Sequence, residues 1–189
     1  LNRYHEINIF YWKQLEKGLV DKKQLAYKRY EQLFSEYGIE TDIDTFNFKY
    51  RNRLKEGAYL LDNAMEICQE LHENKIKLGV ASNGGNDIQI RRIKKIGLDK
   101  YLDYMFVSEE IGYNKPHKEY FEHIFQIEDI PKKKIMMVGD SLTADIQGGK
   151  NAGIITCWYN PNGESSIENI KPDYEIKDLL ELRKLVGIL

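Results

Sequence analysis

Ile135-Met136-Met137-Val138-Gly139-Asp140-Ser141-Leu142-Thr143-Ala144-Asp145 is the stretch on which the reading of this chain turns. Four consecutive apolar residues make a strand covered on both faces, the habit of parallel sheets. An acid ends that strand, and a second acid follows on the first turn of a helix running from Thr143 to Ala152. Thr143 as a helix cap and Asp145 at the positive end of the helix dipole account for half of the motif without any chemistry. They leave Asp140 unexplained. Magnesium is held by one or two carboxylates together with water and substrate oxygens, so a small acidic set at a strand end suits it.

Outward from this stretch, residues from Gly57 onward alternate helix and strand. Asp62 is expected to cap a helix through Leu71, followed by a strand at Ile76–Ala81. A helix ending at Gly97, a strand at Tyr104–Ser108 and a helix with Pro116 in its first turn come next. Strands at Ile154–Tyr159 and Tyr174–Ile176 and a helix at Asp178–Val186 close the chain. Short apolar strands separated by helices predict an α/β, Rossmann-like parallel sheet with helices on both faces over 57–189.

In such sheets ligands bind beyond the carboxyl ends of the strands. Two further polar groups occupy such places. Ser82-Asn83-Gly84-Gly85 offers a hydroxyl and backbone N–H groups as an anion cradle, or else is a plain Asn-Gly turn. Lys115, within Gly112-Tyr113-Asn114-Lys115-Pro116, can set an ammonium on a phosphate, or else is a surface lysine.

Residues 1–56 differ in character, being helical, aromatic-rich and without a strand signal. Ile7, Tyr11, Leu15 and Leu19 recur at helical spacing around a break near Gly18. Asp21 starts a second helix with Gln24 as its capping-box partner, and Gly38 ends it. A third helix is expected from Asp44 to Leu54. Tyr11, Trp12, Tyr27 and Tyr30 could stack on a base, although rings at helical spacing read first as core.

Composition sets the outer bounds. The chain has 189 residues, 42% hydrophobic and 31% charged, with a net charge of −2. Nothing in that balance suggests binding to nucleic acid or to a membrane surface. The run Lys132-Lys133-Lys134 after Glu128-Asp129 reads as a solvated face. No apolar stretch approaches the ~20 residues of a membrane span. Cys68 and Cys157 lack metal-type spacing and read as reduced core thiols, which predicts a cytoplasmic protein.

Taken together and in this order, the three polar groups resemble the motifs of the haloacid-dehalogenase-like (HAD) hydrolase superfamily with a helical cap. The second motif is similar to Val80-Ala81-Ser82-Asn83-Gly84, the third to Lys115-Pro116, and the fourth to Gly139-Asp140 with Asp145. Residues 1–56 look like the inserted cap and 57–189 like the core. Leu15-Glu16-Lys17-Gly18-Leu19-Val20, Arg29-Tyr30-Glu31-Gln32-Leu33, Val107-Ser108-Glu109-Glu110-Ile111-Gly112 and Gly148-Gly149-Lys150-Asn151-Ala152-Gly153 narrow the resemblance. They are similar to the pyrimidine nucleotide 5′-phosphatase branch, regarded as clearing abnormal pyrimidine nucleotides.

The resemblance implies an enzyme, a monomer or homodimer, using Mg2+ to hydrolyse a small-molecule phosphate monoester, a nucleoside monophosphate first of all. Ser82, Asn83, Gly84 and Lys115 would hold the phosphate, Asp140 and Asp145 the metal, with Asp145 orienting either the metal's water or Lys115. The family's first motif is a strand ending in Asp-x-Asp, whose first aspartate attacks phosphorus. That strand is expected upstream of Leu1. Asp42-Ile43-Asp44 follows no apolar strand and is rejected as the nucleophile. A sugar phosphate or phosphoglycolate is the alternative substrate, a phosphomutase an alternative reaction, and a non-catalytic binding module the alternative of another class. The expected first strand would lie between those ending at Ala81 and Val138. Direct pairing of these two would favour the non-catalytic reading.

Overall fold

The computed structural model describes residues 1–127, 130–166 and 169–188 and divides into two compact units, Leu1–Gly57 and Ala58–Leu189. The Glu128-Asp129 part of the charge run lies outside the described residues, whereas Lys132, Lys133 and Lys134 are exposed.

The first unit consists of α1 (Asn2–Glu16), α2 (Lys22–Glu36) and α3 (Ile43–Glu56). At the start of α2 the Asp21 carboxylate accepts the Gln24 N–H at 2.7 Å, and the Gln24 side chain accepts the Asp21 N–H at 3.0 Å. This is the reciprocal cap that the sequence predicts. Asp42 caps α3 instead of Asp44, accepting the Asp44 N–H and the Thr45 hydroxyl, which gives the Asp-x-Asp sequence there a purely structural use. The interior is aromatic: Tyr30 stacks on Tyr4 at 5.9 Å and meets Phe46 and Tyr50 edge-on at 4.9 and 5.6 Å. Only 1% of Tyr30 is exposed, so its ring has no free face for a base.

The second unit runs α4 (Ala64–Glu73), β1 (Gly79–Ser82), α5 (Asn86–Lys95), β2 (Tyr104–Val107), α6 (Ser108–Ile111) and α7 (Lys118–Ile127). It continues with β3 (Met136–Gly139), α8 (Gln147–Ala152), β4 (Ile155–Tyr159), β5 (Tyr174–Ile176) and α9 (Leu182–Val186). Every strand pair is parallel. Successive side chains of β3 point to opposite faces. Met137 joins a core with Phe106, Tyr120, Phe121 and Ala152, drawn from β2, α7 and α8. Met136 and Val138 join another with Ile67, Leu71 and Leu182, drawn from α4 and α9. Helices therefore cover both faces, as the unbroken apolar run of β3 predicts.

The strands form two sheets, β1-β2 and β3-β4-β5. β1 and β3 do not pair with each other, and among the described residues neither has a strand on its remaining edge. An apolar trough of about 440 Å³ is lined from one side by Gly79 and Ala81 and from the other by Met136, Met137 and Val138. The direct pairing that would have favoured a non-catalytic module is absent.

Several boundaries differ from expectation for local reasons. Ile76 closes the turn that follows α4, its N–H donating back to the Leu71 carbonyl at 2.9 Å, and the strand begins only at Gly79. Asp62 does not cap α4; Asn63 takes the cap position at φ 62° and its amide holds the Asp178 carboxylate. Pro116 lies before α7 in a turn closed by the His117 N–H on the Asn114 carbonyl. Thr143 is likewise not the cap, because Ser141 Oγ accepts the Ala144 N–H at 3.1 Å. The turn Leu142–Ile146 that follows is π-type, with the Ile146 N–H reaching back to the Ser141 carbonyl.

Candidate active site

β1, β2 and β3 end at Ser82, Val107 and Gly139; Ser82 is the last residue of β1 with Asn83 and Gly84 after it, Asp140 follows β3 directly, Asp145 lies in the turn beyond, and Lys115 comes after α6, which follows β2. Lys115 is 6% exposed although it belongs to a loop. Its ammonium donates to the Ala81 carbonyl at the end of β1 and, at 2.7 Å, to Asp145 Oδ1. The other oxygen of Asp145 accepts the Ser141 N–H at 3.1 Å. The ion pair thus bridges the end of β1 to the turn after β3. An ammonium has three N–H donors, so two bonds leave one for an incoming oxygen. A buried ion pair is costly to break from one side because the survivor stays buried and uncompensated.

Gly139 makes room for this arrangement. A Cβ built there would stand 2.2 Å from Asp145 Oδ2, so only hydrogen fits between the strand end and the carboxylate.

Around Ser82 the turn is tightly bonded. Ser82 Oγ accepts the Gly84 N–H at 3.0 Å, which engages one N–H of the expected cradle and leaves the hydroxyl proton to donate. Neither Asn83 nor Gly84 has a positive φ, so the left-handed conformation that Asn-Gly turns supply is not what these residues are for. The Asn83 side chain bonds the backbone of Lys115 in both directions, at 2.9 and 2.8 Å. Three residues on, the Asn86 N–H donates to Glu109 Oε2 at 2.6 Å and the Asn86 amide donates to Glu110.

Asp140 is different. It is exposed, and its carboxylate has no hydrogen bond or ion pair among the described residues. Its backbone is pinned instead, the carbonyl accepting the indole N–H of the buried Trp158 at 3.0 Å. A groove of about 470 Å³ lined by Asp140, Trp158, Asn160 and Glu164 opens beside it.

The structure therefore joins Ser82, Asn83, Gly84, Lys115 and Asp145 through bonds among themselves and their neighbours, and sets Asp140 one residue from the Ser141 N–H that Asp145 holds. Sequence reading missed Tyr120 and Trp158. Tyr120 is fully buried, donates its hydroxyl to the Phe106 carbonyl at 2.7 Å, and has its phenol pushed above the ordinary range by burial. A tyrosine on an otherwise apolar inward face was the available signal, since a buried hydroxyl needs a partner.

The sequence profile of haloacid dehalogenase-like hydrolases matches residues 16–159. A Bacillus subtilis protein, YfnB, described as a HAD-hydrolase, is 37% identical over 187 residues, covering 98% of this chain and 79% of the relative. Its crystal structure, solved bound to magnesium, matches with a TM-score of 0.92 at 36% identity, covering 98% of this chain and 81% of that one. Pyrimidine 5′-nucleotidase PynA of Streptococcus pneumoniae is 38% identical over 182 residues, covering 94% of this chain and 77% of the relative. Pyrimidine 5′-nucleotidase YjjG of Escherichia coli is 30% identical over 184 residues, covering 97% and 80%. A profile match that takes in all three strand ends, together with relatives aligned over nearly the whole sequence, means that this chain belongs to the haloacid dehalogenase-like hydrolase family.

Proposed function

We propose that this protein is a magnesium-dependent phosphatase that hydrolyses phosphate monoesters, pyrimidine nucleoside 5′-monophosphates first among them. The observation that carries the reading is Lys115, a buried ammonium with one unspent donor, held at the end of β1 beside Ser82. The names of two relatives, both pyrimidine 5′-nucleotidases, support the choice of substrate. Residues 1–56 serve as a helical cap and 57–189 as the core.

In this reading the Ser82 hydroxyl, the Asn83 N–H and Lys115 take the oxygens of the transferring phosphoryl group. Preorganised donors of this kind stabilise charge as it develops in the transition state. Asp145 keeps the ammonium aimed. Asp140, with both oxygens uncommitted, fits a hard cation that needs only one or two protein carboxylates and otherwise keeps its waters. Among the described residues no cluster of three or more His, Cys, Asp or Glu competes for it. Bound there, magnesium supplies positive charge against the phosphate dianion.

In this reading the attacking group would be an aspartate on a further strand, and the unpaired edges of β1 and β3 with the apolar trough between them have the lining a parallel neighbour would need. Its carboxylate displaces the nucleoside oxygen from phosphorus to give an acyl-phosphate, a second acid protonates the departing oxygen, and water then hydrolyses the acyl-phosphate. Asp145 is an unsuitable nucleophile because both its oxygens are engaged. The two cysteines are free, which supports the cytoplasm; no helix among the described residues is long and apolar enough to cross a membrane.

The test is phosphate release by the full-length protein from a panel of nucleoside monophosphates, sugar phosphates and phosphoglycolate, with and without magnesium. Pyrimidine nucleotides should lead, and chelation should abolish turnover. Preference for a sugar phosphate would change the substrate and keep the phosphatase. Release from none would overturn both.

A further inference from the structure

We infer that the side chain of Asn83 is a positioning device for Lys115, separate from anything its backbone N–H does for substrate. The inference deepens the phosphatase reading and rests on it only for its kinetic consequences.

The carboxamide of Asn83 donates to the Lys115 carbonyl at 2.9 Å and accepts the Lys115 N–H at 2.8 Å. That pair of antiparallel bonds is what a neighbouring strand would give. A carboxamide carries a donor and an acceptor side by side on one planar group, which suits it to bond a backbone N–H and C=O together. Lys115 needs such help, because its backbone lies in the loop between α6 and α7 and belongs to no helix or strand. A lysine side chain has four flexible carbons, so an ammonium is placed reliably only if both ends are fixed. Here Ala81 and Asp145 fix the tip and Asn83 fixes the root.

The adjoining helices are tied as well, Asn86 at the start of α5 donating through its N–H to Glu109 and through its amide to Glu110, both in α6 just before the Lys115 loop. The turn that carries the phosphate-facing groups and the loop that carries the lysine therefore share one frame. The competing explanation, that Asn83 is there for its turn conformation, is contradicted by its ordinary φ.

The experiment compares Asn83→Ala, Asn83→Asp, Lys115→Met and the double variant Asn83→Ala/Lys115→Met in the full-length protein, with p-nitrophenyl phosphate as substrate. Alongside, the exchange rate of the Lys115 backbone N–H is followed by NMR. Loss of a partner that orients a working group typically costs about 10–100-fold, and kcat of Asn83→Ala should fall by that much with KM little changed. Exchange at Lys115 should accelerate, and the alanine should cost nothing further once Lys115 is methionine. Asn83→Asp, which keeps the acceptor and loses the donor, should fall between, and it carries the test if the alanine variant does not fold.

An Asn83→Ala kcat within about twofold of wild type, instead of the 10–100-fold loss, would overturn the inference. So would a raised KM with kcat kept, full multiplication of the two losses in the double variant, or unchanged exchange at Lys115. The exchange measurement needs no turnover. A protein inactive on every phosphate monoester would sink the phosphatase reading, and the exchange rate at Lys115 in Asn83→Ala would then decide the inference alone, acceleration supporting it and an unchanged rate overturning it.

Discussion

Lys115 in the α/β unit and Arg29 in the helical unit are about equally hidden, 6% and 8% exposed, yet they are held in opposite ways. Lys115 has a carboxylate, a carbonyl and an unspent donor. Among the described residues Arg29 has no carboxylate and its Nε no hydrogen-bond partner: one amino group donates to Asn8 at 2.9 Å and the guanidinium lies over the rings of Tyr30 and Tyr50 at 4.7 and 5.5 Å. Ring faces accept a cation without needing a counter-ion, so Arg29 can fasten three helices. Burial of a charge therefore does not by itself mark a site. A strand end, a paired acid and a leftover donor together do.

Lys115→Met should separate the two cations most sharply. Activity should drop by ~10²–10³, the usual loss for one preorganised charge-stabilising group. Stability should fall by about 3–5 kcal/mol, because Asp145 is left buried and alone. Adding Asp145→Leu should restore much of that stability and none of the activity, since replacing both members of a buried pair with apolar residues is often neutral. Urea titration and kcat measure the two effects separately. A double variant as unstable as the single one would mean that the ion pair is not what holds this turn.

Gly139→Ala comes next. Its methyl would meet Asp145 Oδ2 at 2.2 Å and push the carboxylate off the lysine. Overpacking of this kind costs about 1–3 kcal/mol, and a misplaced ammonium costs up to ~10²-fold in rate. Wild-type kcat in this variant would show that Asp145 need not stand where it does.

Arg29→Met should cost about 1–2 kcal/mol, the scale of a desolvated cation–π contact, and leave kcat for p-nitrophenyl phosphate unchanged. A loss as large as that of Lys115→Met would erase the distinction between the two cations.

The α/β core was legible because unbroken apolar runs such as Ile135–Val138 have one physical use, and because polar residues directly after them have few. The capping box at Asp21 was legible for a similar reason, being a purely local bond pattern. The contacts that organise the site were not. Nothing in the spacing of Asn83 and Lys115, 32 positions apart, says that a carboxamide will grip a distant backbone. Ser141 displaced Thr143 as cap because a π-type turn moved the helix start. Tyr30 read first as core and only second as a ring for a base, and its four ring neighbours place it in the core.

A third cation, Lys150, completes the series at the surface and predicts the smallest effect. It pairs with Asp173 at 2.6 Å, side chains 37% and 40% exposed. The Lys150 ammonium holds the Asp173 carboxyl below its ordinary value, against the opposing effect of burial and with help from Thr156. A carboxyl whose folded pKa is depressed contributes stability above its unfolded pKa and loses it as pH falls through the folded value. Wild type should therefore exceed Asp173→Asn at pH 7, by less than about 1 kcal/mol because the pair is open to solvent. The gap should close as the acid titrates below about pH 4 and shrink in high salt. A gap unchanged on acidification would assign the stability to the uncharged bonds from Asp173 to Thr156 instead of to the ion pair. A gap at pH 7 as large as that of Lys115→Met would mean that burial is not what separates Lys115 from a surface lysine.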